Sequence, residues 1–295
     1  MLLVKRHAPR NAHHFLVGPF KVAISTSERH LIQTVQAFEQ CYPPGNPRDF
    51  TDFHLEYKRP LSTRRYLAPQ INFFFDGQQP FKPLPAREAY PFFEWSLNWC
   101  IATNAHQYLM LHAAVLAAPS GGLIMPAAPG SGKSTLAAAL GFSGWDLFSD
   151  EFALIDRQDG LLHPLIRPLS LKNASIELIT RSFSDACIES CVSNTNKGTV
   201  AHLHPPRAGT EAPGPIAPKW LVFPKYQPGS KLTLTPLTPD EALIRCINES
   251  FNFNALGATG FEALTRLITH CESYTLVYSK LDDALNLFST KFYSP

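Results

Sequence analysis

No stretch of this chain offers the roughly 20 uninterrupted apolar residues that a membrane-spanning helix needs. The most apolar region, residues 108–125, is broken by His112, Pro119, Ser120 and the Gly121-Gly122 pair, and reads as two buried strands. No secretory leader is expected either. Leu2-Leu3-Val4 runs straight into Lys5 and Arg6, far short of an apolar core of about 7 to 15 residues, so a cytoplasmic protein is expected. Excess charge of one sign is also absent. With 26 Lys and Arg against 24 Asp and Glu, the net charge is +2, too small a field to hold nucleic-acid phosphates or anionic lipid. Neither nucleic acid nor membrane is expected as a partner.

Charged residues make up only 17% and apolar residues 45% of the chain. The usual charged share is about 25%, so there is ample material for burial and disorder is excluded for most of the sequence. The six cysteines, at 41, 100, 187, 191, 246 and 271, include no CxxC pair. A chain of this size needs no disulfide staples, and buried reduced thiols are expected. Cys187 and Cys191 lack a second ligand pair at zinc spacing, so no metal-thiolate site is expected. What the chain has in plenty is proline, 26 residues, clustered at 43–44, 80–91 and 205–218. That pattern disfavours an all-helical array.

A length of 295 residues is that of about two domains. The first third reads as a small α+β unit. Strands are expected over residues 15–26, 53–57 and 71–75, with a helix after Ser25-Thr26-Ser27-Glu28 and a turn at Asp76-Gly77. Pro80, Pro83 and Pro85 form a stiff connector, the boundary is placed near residue 87, and an apolar helix follows over 90–104. Beyond it strands and helices alternate. Strands are expected at 109–118, 122–125, 220–224 and 231–235, with a strand pair over 146–156 around Ser149-Asp150-Glu151. Helices are expected at 133–141, 173–182, 240–250 and 259–271, the last two completing the chain. Residues 194–214 are polar and rich in Gly and Pro, and read as a mobile loop.

The strongest motif is Ala127-Ala128-Pro129-Gly130-Ser131-Gly132-Lys133-Ser134-Thr135. It matches the Walker A pattern GxxxxGK[ST], except that Ala127 holds the first glycine position. Gly130 and Gly132 let backbone N–H groups turn inward, and the helix start at Lys133 adds a positive dipole end, so the segment is built to bind polyphosphate. Lys133 is expected to reach the β and γ phosphates, Ser134 to offer a hydroxyl to Mg2+, and Thr135 to meet the α phosphate. The alternative is a chance Gly/Ser turn ahead of a helix; the apolar strand before it and the full GSGKST run weigh against that.

Asp150 follows Lys133 by only seventeen residues, room for one helix and one short strand. A carboxylate there can face a γ phosphate and an acceptor hydroxyl. Asp150 is expected to orient or deprotonate that hydroxyl, with Glu151 ligating Mg2+ directly or through water. The plain alternative is a solvated turn.

Leu111-His112-Ala113-Ala114-Val115-Leu116, the Walker A loop and Gly144-Trp145-Asp146-Leu147-Phe148-Ser149-Asp150-Glu151 together resemble the catalytic core of bacterial HPr kinase/phosphorylases. They are most similar to the HPr-kinase-related group called HprK-related kinase A. The resemblance covers about residues 105–290. It implies an α/β fold, a P-loop kinase core of the HPr kinase C-terminal and PEP carboxykinase-like type with a mixed sheet, spanning 88–295 after a small α+β domain at 1–87. In that family a His before the loop lies near an Asp pair after it, and one Asp handles the proton of the acceptor Ser. His112, Asp150 and Glu151 match these positions, the last with Glu in place of Asp. Without the resemblance, His112 also reads as a core histidine. Arg167 and Lys172, in Arg167-Pro168-Leu169-Ser170-Leu171-Lys172, and the segment Ser250–Gly257 look like the related group as well. Arg167 and Lys172 are candidates to stabilise charge on a transferring phosphoryl group; the alternative is surface cations flanking a strand. Lys197-Gly198 and His202-x-His204 read better as loop than as substrate contacts. The family's Glu-x-Arg-Gly segment has no counterpart here.

These features together suggest an ATP- and Mg2+-dependent kinase acting on a hydroxyl, most naturally Ser of a protein or peptide. The alternatives are a small-metabolite kinase, disfavoured by the long segment before the loop and the absence of an Arg-rich lid, and an ATP-dependent switch without an acceptor. A homo-oligomer is compatible with the chain, and residues 1–87 are open to a role in substrate choice or self-association.

Overall fold

A computed structural model describes residues 12–60, 69–206 and 213–293. The amino-terminal residues read above for a leader lie largely outside these, as do residues 207–212 of the expected loop. The fold is mixed α/β. The chain divides into two compact units, Met1–Ile101 with Glu189–Ala201, and Ala102–Ile188 with His202–Pro295.

In the first unit β1 (His13–Val17), β2 (Phe20–Thr26), β3 (Phe53–Lys58), β4 (Gln70–Phe75) and β5 (Leu84–Pro85) form a sheet in that order. Helix α1 (Arg29–Ala37) crosses between β2 and β3, which is why those two strands run parallel. The turn after β4 uses Asp76 and Gly77 at φ of 49° and 76°, and Phe75 and Gln78 exchange two backbone bonds across it. Helix α2 (Ala89–Asn104) buries Phe92, Phe93 and Leu97. Its rings meet Tyr42, Tyr57 and Phe73 at centroid distances of 5.6, 6.1 and 6.0 Å, mostly edge to face, a favoured aromatic geometry. The polar groups this core encloses are paired, Tyr42 donating to Glu94 and the Tyr57 hydroxyl bonding Ser96.

The second unit opens with the hairpin β6 (Tyr108–Ala118) and β7 (Gly121–Pro126), followed by α3 (Lys133–Phe142), β8 (Asp146–Ser149), β9 (Phe152–Asp156), β10 (Leu162–His163), β11 (Leu169–Lys172) and α4 (Ala174–Ser182). The first part of the polar stretch expected as a mobile loop over residues 194–214 is instead strand, the end of β12 (Ile188–Thr195) and all of β13 (Gly198–Leu203), residues that belong largely to the first unit. Asn194 and Gly198, at φ of 58° and 84°, turn the chain between them, so the residues that read as loop signals are those of a tight turn. His202, expected in that loop, is buried in β13. The chain continues through β14 (Pro218–Tyr226), β15 (Thr233–Pro236), α5 (Pro239–Asn248), α6 (Phe253–Leu256), α7 (Ala258–His270), β16 (Glu272–Tyr278) and α8 (Leu281–Lys291). The last strand and helix were not anticipated: residues 272–278 interleave polar and apolar side chains without a marked run, and β16 is specified by its partners.

The main sheet runs β10-β9-β6-β7-β14-β16-β15, with β8 also on β6. β7, β14 and β16 are parallel, whereas β6 and β15 run against their neighbours. β8 and β9 do not form a hairpin with each other. They lie in series along one edge of β6, Val115 opposite Ser149 and His112 opposite Phe152, with a register shift between Val115 and Leu116. Nearly every residue of β6 is buried, as expected of a strand covered on both faces. On one face Leu109, Leu111 and Val115 join a core with Cys246, Leu264 and Leu267 from α5 and α7. None of the described helices is long and apolar enough to cross a membrane.

The start of β6 is also held from a distant part of the chain. Buried Asn252 accepts from the Met110 N–H at 3.0 Å and donates to the Tyr108 carbonyl at 2.8 Å. Phe251 N–H donates to the Met110 carbonyl at 3.0 Å. Replacing Asn252 by Ala strands a buried donor and acceptor, each worth about 1–3 kcal/mol when unpaired. Asn252→Ala is therefore expected to destabilise the second unit by roughly 2 kcal/mol or more, read as a lowered urea midpoint at an unchanged slope.

Candidate functional site

Three segments are brought level by β6. At its His112–Ala113 step the Ala127 N–H donates to the His112 carbonyl on one edge, and the Ala113 N–H donates to the Glu151 carbonyl on the other, both at 3.3 Å. The glycine-rich loop after β7 and the kink between β8 and β9 thus flank one point of one strand. That pairing joins the motif residues, though no motif residue makes it by its side chain.

The loop itself is set by two glycines. Gly130 and Gly132 have φ of 86° and 87°, a region that a residue with a Cβ avoids. Gly132 is also the residue before the first turn of α3, and a Cβ there would lie 2.5 Å from the Tyr278 hydroxyl and 2.9 Å from Tyr226 Cβ. Both tyrosines come from the ends of adjacent parallel strands, where they sit opposite each other. The Tyr226 N–H donates to the Ser131 carbonyl at 2.8 Å and the Tyr278 hydroxyl to the Gly132 carbonyl at 3.2 Å. With two carbonyls tied back in this way, the first N–H groups of α3 are left without intrahelical acceptors, as at any helix start.

Lys133 is the first residue of α3 and is 5% exposed. Its Nζ has no hydrogen-bond partner among the described residues, nor does the buried Ser131 Oγ. Burial lowers the Lys133 pKa, against the opposing charges of Glu151, Asp150 and Glu249. A buried ammonium without a hydrogen-bond partner is costly; here three carboxylates offset part of that cost and an anion would offset more. Ser134 and Thr135 occupy the next two helix positions and are half-buried. Ala128, Pro129 and Gly130 form the open lip of the loop.

Asp150 and Glu151, adjacent in sequence, have opposite environments. Asp150 is 5% exposed and accepts only the Ser170 N–H, at 3.4 Å, among the bonds shown for it. Burial first, then the Glu151 charge, push its pKa up, with Lys133 and Arg167 pulling the other way. Glu151 is also pushed up by burial, but the His112 hydrogen bond and the Lys133 charge outweigh this and hold it low. His112 Nε2 lies 3.6 Å from Glu151 Oε2 and its Nδ1 lies 3.4 Å from Glu249 Oε2. His112 is therefore held between two carboxylates and is more than an inert core residue. Arg167 is buried close enough to influence Asp150. Lys172 is exposed and acts on Glu151 and Lys133 through its charge.

His112, Lys133, Asp150 and Glu151 thus form one cluster, with Arg167 and Lys172 at its margin. Lys197 precedes β13, Gly198 opens it and His204 follows it. Glu249, Tyr226 and Tyr278 were not picked out from the sequence. Glu249 ends a helix more than a hundred residues from its partner, and no local pattern marks it. Oxygen donors from Ser134, Asp150 and Glu151 are the hard ligands that suit Mg2+. Elsewhere Asp156, Asp159 and His163 approach one another, but Asp156 Oδ1 accepts the Gln158 and Asp159 N–H groups and Asp159 Oδ1 that of Leu161, which accounts for them as a turn.

The direction of the Asp150 shift has a consequence for stability. Between the ordinary aspartate value of 3.8 and neutral pH, the folded protein holds a proton that the unfolded chain has lost, so this group costs stability as pH rises. Asp150→Asn removes that term. The variant is expected to gain stability relative to the native protein as pH is raised from about 4 to 7, measured by chemical denaturation across that range. Glu151 has the opposite sign, contributing stability above its ordinary value that is lost as pH falls.

No protein-family model matches this chain, and no curated protein matches it significantly.

Proposed function

We propose that this protein is a P-loop phosphotransferase that moves the γ-phosphoryl group of ATP to a hydroxyl, most naturally a Ser of a protein or peptide. One observation carries the reading: a loop with Gly130 and Gly132 at positive φ leads into a helix whose first residue is a buried lysine with no hydrogen-bond partner among the described residues, close to the carboxylates of Asp150 and Glu151. A polyphosphate supplies what Lys133 Nζ and Ser131 Oγ lack. The α3 N-terminus and the loop N–H groups add donors that need no reorganisation.

The roles follow from the environments. The acceptor oxygen forms a bond to the γ phosphorus as the bond from that phosphorus to the bridging oxygen of ADP breaks. The hydroxyl proton passes to Asp150, whose raised proton affinity suits a base working near neutral pH, and then to solvent. Glu151, held ionised beside His112 and Lys133, belongs with Ser134 as a holder of Mg2+, which when bound neutralises phosphate charge. Lys133 balances charge on the β and γ phosphates, with Arg167 and Lys172 placed to add to it. The near-neutral net charge fits this reading, since binding relies on backbone donors and a few cations. A protein or peptide acceptor is preferred over a metabolite because the first unit supplies no catalytic group and is free to recognise a macromolecule.

The reading is tested with γ-labelled ATP and a panel of proteins and peptides encoded near this chain. One of them is expected to gain label on Ser. Lys133→Ala is expected to weaken ATP binding at least about tenfold and to abolish transfer, the loss of a charge-assisted contact to phosphate. Asp150→Asn is expected to bind ATP normally and to lose at least about a hundredfold in transfer rate, the scale of a positioned general base. Label appearing only in small metabolites would overturn the protein-substrate reading, and unchanged turnover in Asp150→Asn would remove Asp150 as base.

A further inference from the structure

Glu249 ends α5 and lies one residue before the segment that pins β6. It meets His112 twice. Its carbonyl accepts the His112 N–H at 2.7 Å, and its carboxylate lies 3.4 Å from His112 Nδ1. The opposite ring nitrogen faces Glu151 at 3.6 Å. The edge of Phe251 closes a third side, its centroid 5.8 Å from that of the imidazole and 4.7 Å from that of Phe152. The backbone contact fixes where the His112 side chain starts but not how its ring is turned, because the second side-chain torsion of histidine is soft and roughly two-fold. Either nitrogen could face Glu151. What breaks the tie is a second acceptor on the far side of the ring.

We infer that Glu249 is a positioning residue, holding the His112 ring so that Nε2 stays turned toward Glu151 and the carboxylate pair. The inference rests on the phosphotransfer reading for its kinetic consequence, whereas the ring orientation stands apart from it. Glu249 acts on Glu151 through His112; its charge also bears on Lys133, an effect that Glu249→Gln removes while keeping the acceptor for the ring. Such outer partners of a working histidine commonly matter by about 10- to 100-fold in activity, as carboxylates behind metal-bound histidines do. The anchoring bonds of Asn252 and Phe251 to Tyr108 and Met110 explain how a residue so distant in sequence is held at this spot.

The test uses the full chain, with Glu249→Ala, Glu249→Gln, His112→Ala and the Glu249→Ala/His112→Ala double variant. Nitrogen-15 signals of the His112 ring, assigned by their loss in His112→Ala, are recorded at a single pH without nucleotide. Glu249→Ala is expected to change both ring-nitrogen signals, and Glu249→Gln, whose amide oxygen still accepts, to keep them near the native pattern. Turnover is followed as phosphoryl transfer from ATP to the acceptor found above, or to water without one. In Glu249→Ala kcat is expected to fall roughly tenfold or more, with KM for ATP within about twofold, and Glu249→Gln to recover most of it. In the His112→Ala background the same change is expected to cost nothing further, the signature of a residue acting through its neighbour. Identical ring signals in native and Glu249→Ala proteins would overturn the inference, as would a full additional loss in the double variant. A native protein that neither binds ADP nor turns over ATP would defeat the phosphotransfer reading instead, and the ring signals would still decide the placement of His112 by Glu249.

Discussion

The pairing of β6 on both edges is the constraint from which the rest of the second unit follows. A strand hydrogen-bonded on both sides cannot shift by one residue without moving every side chain to the wrong face. Because β7 pairs along one edge and β8 with β9 along the other, the loop that leaves β7 and the kink between β8 and β9 must emerge at fixed levels. Both meet β6 at His112–Ala113. The charged cluster is therefore placed by backbone bonds among apolar residues, and its members are free to be electrostatically unfavourable because they do not hold the fold together.

That freedom is used. Lys133 and Asp150 are both almost fully buried, yet the ammonium has no hydrogen-bond partner among the described residues, and Asp150 accepts the Ser170 N–H at a long 3.4 Å. A cluster optimised for stability alone would pair these two groups closely or replace them with apolar side chains, which is often neutral or favourable. A buried ammonium left without a hydrogen-bond partner among the described residues is instead a place that a further anion would stabilise. The tie of Tyr226 and Tyr278 to the Ser131 and Gly132 carbonyls fixes the loop against the ends of β14 and β16.

Much of this was legible in the sequence where the physics is local. The glycines at 130 and 132, the lysine at the helix start and the Ser149-Asp150-Glu151 run all lie within one strand-loop-helix-strand stretch, and short spacing marks them out. The hairpin of β6 and β7 could be read from two apolar runs around Pro119-Ser120-Gly121. What escaped depended on distance. Glu249 acquires its place only because Asn252 docks onto β6, across more than a hundred residues, and no composition rule signals such a contact. β16 escaped because its pattern is mixed and its strand character comes from β14 and β15 on either side. In the loop expected over residues 194–214, the part up to Leu203 is strand and turn instead, for the converse reason. Asn and Gly there signal a turn correctly, but a turn between two strands looks, residue by residue, much like the middle of a long loop.

The adjacent carboxylates show how local geometry can divide labour. Asp150 and Glu151 lie at the bend between β8 and β9, outside both strands, and face different partners. At the kink after β8, Asp150 turns into the interior beside Ser170, whereas Glu151 turns toward β6 and His112. The same backbone step thus raises the proton affinity of one and lowers that of the other, the separation that acid-base chemistry at one site requires. A glutamate at the second position has a structural sense as well. Its carbonyl is already committed to the Ala113 N–H, which sets the distance of its Cα from β6. From there the side chain must span to an imidazole on the neighbouring strand, and one methylene more than aspartate gives it the reach. If the proposed chemistry holds, the glutamate at this position is tied to where His112 is held, and therefore to Glu249 behind it.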